Sequence, residues 1–171
     1  MRYADIIKCD CENGKHWGVS LFTQGCPFHC KGCFNPETWD YDGGKEFTDE
    51  TQTLILKLLD KSYISRLSIL GGEPLEEHNL HQLACLISSV RNNYHNDIKI
   101  WVYTGWTYER LQQREKESNI KYLTFILDNI DYLVDGPFIQ EKKDITLGFR
   151  GSRNQRILDM QQLRKDNKVV L

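Results

Sequence analysis

The sequence predicts an α/β fold, an open, partial (β/α) barrel with parallel strands inside and helices outside. Apolar, β-rich runs alternate with longer stretches of helical periodicity. Three of those runs begin at Arg66, Ile98 and Asp131, about 32 residues apart, which is the length of a strand–helix–strand unit. The runs end in glycine-containing polar motifs, and in a parallel sheet such ends share one side of the molecule. The chain offers four to six strands, too few for a closed eight-stranded barrel of about 250 residues.

Taken in order, Tyr3 to Lys8 is expected to pair with the first main strand as a hairpin through Glu12-Asn13-Gly14. That main strand, Trp17 to Thr23, leads directly into a cysteine-rich loop. Thr48 is a candidate N-cap for a helix with Leu54, Ile55, Leu58 and Leu59 on one face. Arg66 to Leu70 is a strand stopped by Gly71-Gly72. A helix from Pro74 to Asn93 follows, its apolar stripe made of Leu80, Leu83, Ala84, Ile87 and Val90. Ile98 to Tyr103 is a strand ended by Thr104-Gly105. Thr107 can cap a helix carrying Tyr108 and Leu111, and a short helix is expected around Tyr122 to Leu127. Asp131 to Val134 is a strand ended by Asp135-Gly136-Pro137, and Arg156 to Leu158 can add a last one.

No linker or repeat divides the 171 residues, so one domain over 1–171 is expected, long enough to bury a core. A net charge of −2 gives no reason to expect nucleic acid. No apolar run is long enough for a membrane span, and Met1 to Asp10 lacks the apolar core of a secretory signal, so a cytoplasmic protein is expected. In that reducing compartment the six cysteines read as ligands or core residues, not disulfides.

The chemistry centres on Cys26, Cys30 and Cys33, within Cys-Pro-Phe-His-Cys-Lys-Gly-Cys. A structural zinc site wants four protein ligands. Three thiolates in one tight loop suit a four-iron cluster that keeps one iron open for a substrate. The competing reading is zinc, with His29 or the distant Cys9 or Cys11 as fourth ligand. His29 adjoins Cys30, so its ring is expected to point away from the sulfurs. Gly71-Gly72-Glu73 offers close backbone approach and a carboxylate for a ligand ammonium, or an ordinary turn with Pro74 opening a helix. Asp135 could bind a ligand hydroxyl or amine, or close an Asx-turn; Thr104 is equally open. Arg150 to Arg156 carries three arginines, a solvated face or a contact for an anion, cofactor or partner. Cys85 falls in a helical apolar pattern and reads as a core thiol, while His16, His78, His81 and His95 show no ligand spacing.

Cys-x3-Cys-x2-Cys after one strand, with Gly-Gly-Glu-Pro after the next, resembles the radical S-adenosylmethionine superfamily. Tyr132-Leu-Val-Asp-Gly-Pro-Phe138 and Arg150-Gly-Ser-Arg-Asn-Gln-Arg156 narrow the resemblance to its glycyl-radical activases, those of anaerobic ribonucleotide reduction. The likeness runs from about Tyr3 to Ile157. It implies an oxidoreductase with one [4Fe-4S] cluster on Cys26, Cys30 and Cys33, and S-adenosyl-L-methionine on the fourth iron. It further implies cofactor contacts from Gly32, Cys33, Phe34, Gly71, Gly72, Glu73 and Asp135. The implied partners are the large subunit of an anaerobic ribonucleoside-triphosphate reductase, which receives a glycyl radical, and a reduced flavodoxin-like electron donor. Many superfamily members carry an aromatic residue where this chain has Gly32, and Phe34 stands where relatives often have His or Tyr. The alternatives are an activase of another glycyl-radical protein, a small enzyme of the same superfamily, and a structural-zinc binding module.

Overall fold

The computed structural model describes residues 1–118 and 121–166. Seven strands form one sheet among the described residues: β1 (Arg2–Asp10), β2 (Gly18–Thr23), β3 (Lys45–Glu46), β4 (Arg66–Gly71), β5 (Lys99–Tyr103), β6 (Tyr132–Asp135) and β7 (Arg156–Asp159). The order is β3-β1-β2-β4-β5-β6-β7. The middle four, β2, β4, β5 and β6, are parallel, while β1 and β7 run antiparallel to their neighbours. The helices are α1 (Asp49–Leu59), α2 (Glu77–Tyr94), α3 (Tyr108–Ser118), α4 (Lys121–Asn129) and α5 (Met160–Asp166). None is long and apolar enough to cross a membrane.

Strand register sorts alternate residues onto opposite faces. Leu21, Ile69, Val102, Leu133 and Leu158 lie side by side across the sheet, each fully buried, in one apolar cluster with Ile55, Leu83, Ile87 and Ile126 of the helices. The other face carries the row Ser20, Ser68, Trp101 and Tyr132, and beyond it Phe22, Leu70 and Tyr103. It is polar and aromatic where the first is aliphatic. At its far end the fully buried Arg66 pairs with Asp10 at 3.2 Å and also donates to Ser68 and the Asn13 carbonyl. Burial opposes charge on Asp10, but bonds from Ser20, the Glu12 amide, Asn13 and Arg66 hold its carboxyl below the usual value. This network closes the face at the start of β4 and leaves the other end open for a site.

Most expected elements are present, and the departures have local causes. The two-residue β3 was unforeseen, and brings the strand number above the expected four to six. The helix expected from Pro74 begins at Glu77, because the Glu73 carboxylate accepts from the Leu75 amide and Asn79 Nδ2 donates to the Glu73 carbonyl, folding 73–76 as a turn. Leu54 is exposed, since the buried stripe of α1 runs through Thr51, Ile55, Leu58 and Leu59. Cys85 is not a core thiol. It faces solvent on α2, 4.0 Å from the exposed His81. Thr48 does cap α1, in a reciprocal capping box with Thr51.

Candidate metal and cofactor site

The ends of β2, β4 and β5 meet around the cysteine loop; backbone bonds tie the loop to the ends of β2 and β4, and the Glu73 carboxylate ties in the end of β5. Gly25 N donates to Thr38 O at 2.8 Å, Cys26 N to Trp39 O at 3.2 Å, and Glu73 N to Gly25 O at 2.8 Å. The buried Gln24 closes the loop further by donating to the carbonyls of Glu37 and Asp40. Gly72 has to be glycine, because a Cβ there would lie 2.5 Å from the Gly25 carbonyl oxygen.

Cys26, Cys30 and Cys33 line one cavity of about 550 Å³, together with Phe34, Gly71, Gly72, Glu73, Tyr103 and Thr104. Cys26 is buried, and the other two are half-buried. Burial pushes the Cys26 thiol up to about 11 and raises Cys30 as well, so in metal-free protein both hold their protons and release them on ligation. Among the described residues no fourth cysteine and no histidine lines the cavity. His29 is exposed and packs its ring 4.7 Å from Trp39, and Cys9 and Cys11 lie outside the lining. Among the described residues no three His, Cys, Asp or Glu side chains converge on a point that one metal ion could occupy. A donor set of three soft thiols around a roomy cavity fits a polynuclear iron–sulfur cluster better than a single zinc.

Glu73 lines the same cavity as the thiols and is 1% exposed. Its Oε1 accepts from Leu75 N at 2.9 Å and Thr104 Oγ1 at 2.8 Å, and its Oε2 from Gly105 N at 2.7 Å. Burial nevertheless pushes its carboxyl up to about 7, the three bonds opposing that shift. A carboxylate fixed by three donors yet short of countercharge is suited to receive a ligand ammonium. Thr104 thus serves Glu73, and its Oγ1 also accepts from Trp106 N.

The other predicted residues divide. Phe34 lines the cavity and is 59% exposed, leaning on Phe138 with ring centres 5.1 Å apart. Gly32 does not line it. Gly32 has φ +73°, and a Cβ there would fall 2.1 Å from Gln140 Oε1, so the Gln140 carboxamide fills the space that a side chain at 32 would take. Asp135 is also absent from the lining. Its carboxylate binds Arg156 (Nε to Oδ1 2.9 Å) and accepts from Tyr108 N, so it is engaged in joining β6 to β7 and α3. The Arg150 to Arg156 motif is neither a solvated face nor a free cationic patch. Gln155 accepts from the amides of Gly151 and Ser152 and donates to Gly136 O, Asn154 donates to Pro137 O, and Arg150 donates to Gln155 O. Only Arg153 is well exposed, paired with Asp144 at 2.9 Å. Sequence reasoning missed Tyr103, Gln140 and the Asp144 to Phe149 segment, whereas Arg150, Gly151 and Gln155 of the singled-out motif do line the cavity. Tyr103 was signalled by its parity with Trp101 along β5, opposite to Ile100 and Val102; nothing in the pattern signalled the other two.

The family described as "4Fe-4S single cluster domain" matches residues 12–158. Proteins named anaerobic ribonucleoside-triphosphate reductase-activating protein are 36% identical in Vibrio cholerae and 35% in Haemophilus influenzae, in both cases over 157 residues, 91% of this chain and 96% of theirs. The protein of that name from Enterobacteria phage T4 is 35% identical over 92% of this chain and 93% of its own. The chain belongs to this family of reductase-activating proteins. With the family come one iron–sulfur cluster, a place in the chemistry of anaerobic ribonucleotide reduction, and the status of an iron–sulfur activating enzyme. In this activating protein the cysteine loop is the part of the cavity whose donors suit the cluster.

Proposed function

We propose that this chain activates an anaerobic ribonucleoside-triphosphate reductase by radical S-adenosylmethionine chemistry. The observation that carries the reading is the meeting of three thiols and a buried, under-compensated carboxylate in one cavity that, among the described residues, no fourth cysteine and no histidine lines. Cys26, Cys30 and Cys33 hold three irons of a [4Fe-4S] cluster, and Glu73 receives the ammonium of S-adenosylmethionine. The turn at Gly71 and Gly72 lets the cofactor approach backbone, and Phe34 shields it at the mouth. When bound, cluster and cofactor supply a one-electron cleavage of the sulfonium whose outcome on the reductase is a glycyl radical. The protein's share is to place Glu73 through Thr104 and Gly105, to keep a fourth thiol or imidazole out of reach, and to limit water. The sheet acts as a partial barrel of the radical S-adenosylmethionine type, within one domain. The reductase large subunit is the protein substrate, and a reduced flavodoxin-like protein in the cytoplasm is the electron donor.

Mixing anaerobically reconstituted protein, S-adenosylmethionine, reductant and the reductase large subunit tests this by electron paramagnetic resonance. An organic radical on the reductase that disappears in the Cys30→Ala variant is expected. Cofactor cleavage with no radical on the reductase would refute the activase reading.

A further inference from the structure

A cluster makes the thiol cavity anionic. A [4Fe-4S] core held by three thiolates carries net negative charge, and one-electron reduction adds to it. The surroundings already oppose negative charge, since burial raises the Cys26 and Cys30 thiols above their usual values. Net charge and hydrogen bonds to the sulfurs set the reduction potential of such a cluster. That potential accordingly depends on what positive charge the lining offers.

Among the described residues, the charged side chains of the lining are Glu12, Glu73, Asp144 and Arg150, so Arg150 is the one cation. Asp144 is taken by Arg153, and Arg156 by Asp135 and Glu109, whereas Arg150 pairs with no carboxylate. Its Nη1 donates to the Gln155 carbonyl at 3.0 Å, and its Nε is buried without a hydrogen-bond partner. A guanidinium keeps its charge, and a partly buried one without a counter-ion is costly. That cost falls when the anion arrives with the ligand. The chain carrying Arg150 abuts the cysteine loop: a Cβ on Gly151 would fall 2.8 Å from the ring of Phe34, the residue after Cys33. Lys31, inside the loop itself, instead lies in solvent beside Glu141, with 84% of its side chain exposed.

We propose that Arg150 is the counter-charge of the cluster and raises its reduction potential, so that a reduced flavodoxin-like donor can deliver the electron. In that step the donor's reduced flavin loses one electron and the cluster gains it; no proton moves, and Arg150 stays charged. The guanidinium acts through its field and its free Nε donor, in a partly buried cavity where a charge counts for more than at the surface. This assignment rests on the ligation by Cys26, Cys30 and Cys33 put forward above.

Three variants test it. Arg150→Gln removes the charge, Arg150→Lys keeps it without the guanidinium fork, and Lys31→Gln removes an exposed charge from the cysteine loop itself. Each full chain is reconstituted anaerobically with iron and sulfide, and its midpoint potential is read by electron paramagnetic resonance during a dithionite titration with mediators. Arg150→Gln is expected to lower the ratio of reduced to oxidised cluster at a fixed solution potential at least tenfold, about 59 mV for a one-electron couple. Arg150→Lys and Lys31→Gln should each stay within about threefold of wild type, the second because solvent screens it. A smaller shift in Arg150→Gln, an equal shift in Lys31→Gln, or an Arg150→Lys midpoint as low as that of Arg150→Gln would overturn the assignment. A cluster lost from Arg150→Gln yet kept at the wild-type potential in Arg150→Lys would support it, whereas loss from both would make Arg150 a structural residue of its turn. A wild-type chain that builds no cluster would sink the three-thiol ligation, and the assignment with it.

Discussion

The two faces of the sheet are made from alternate residues of the same strands, yet they do different work. On the helix side Leu21, Ile69, Val102 and Leu133 are aliphatic and fully buried, and any of them could be exchanged for a side chain of similar volume. On the cavity side Ser20, Ser68, Trp101 and Tyr103 form a polar and aromatic wall that ends in thiols and a buried carboxylate. The first face is specified by volume and apolarity, the second by donors and acceptors at fixed positions. Substitutions should therefore separate stability from ligand binding according to side-chain parity alone.

Cys30→Ala gives the sharpest break. Iron and sulfide analysis should show loss of the bound cluster, while far-ultraviolet circular dichroism stays that of the folded chain, because the half-buried Cys30 lies outside the apolar cluster. A collapse of the fold would place the cysteine loop in the core instead. Leu67→Ala, on the helix side, is the converse case. It should cost about 2–5 kcal/mol in urea unfolding, as truncation of a fully buried leucine does, with cluster content of the folded fraction unchanged.

Glu73→Gln lies on the cavity side and should weaken S-adenosylmethionine binding at least tenfold in a titration of reconstituted protein, with iron content intact. Equal loss of cluster would make Glu73 a structural residue of the turn. The same variant has a pH signature. The folded carboxyl, raised from 4.5 to about 7 by burial, binds a proton that the unfolded chain has released. Stability of the metal-free protein should therefore fall as pH rises from about 4.5 to 7, by at most ~1.4 kcal/mol per pH unit from this one group. Glu73→Gln should remove that slope, and an unchanged slope would assign it to other groups. The smallest effect is expected for Leu54→Ala, within about 0.5 kcal/mol of wild type in the same unfolding assay, because the residue faces solvent.

Periodicity and punctuation make most of the sheet legible in the sequence. Apolar runs bounded by glycine gave β4, β5 and β6 within a residue or two, and Thr48 gave the start of α1. The three thiols and Glu73 were legible because each follows a strand in a parallel sheet, where ends converge. What escaped depends on contacts distant in sequence. Asp135 reads as a ligand contact or an Asx-turn, and the Arg156 that binds it is 21 residues away. Gly32, a cofactor contact by resemblance, lies outside the cavity lining with the Gln140 carboxamide beside it, which no local pattern announces. The Arg150 to Arg156 motif reads as a solvated face or an anion, cofactor or partner contact because its charge is visible in sequence, whereas the carboxylates of Asp135, Glu109 and Asp144 that pair with Arg156 and Arg153 are not.

The most direct measurement is the electron paramagnetic resonance of the anaerobically reconstituted, reduced protein with and without S-adenosylmethionine. The account predicts a reduced [4Fe-4S] signal whose g values shift when the cofactor is added, as an iron without a protein ligand requires. A cluster signal indifferent to the cofactor, or a protein that takes up zinc and no cluster, would contradict it.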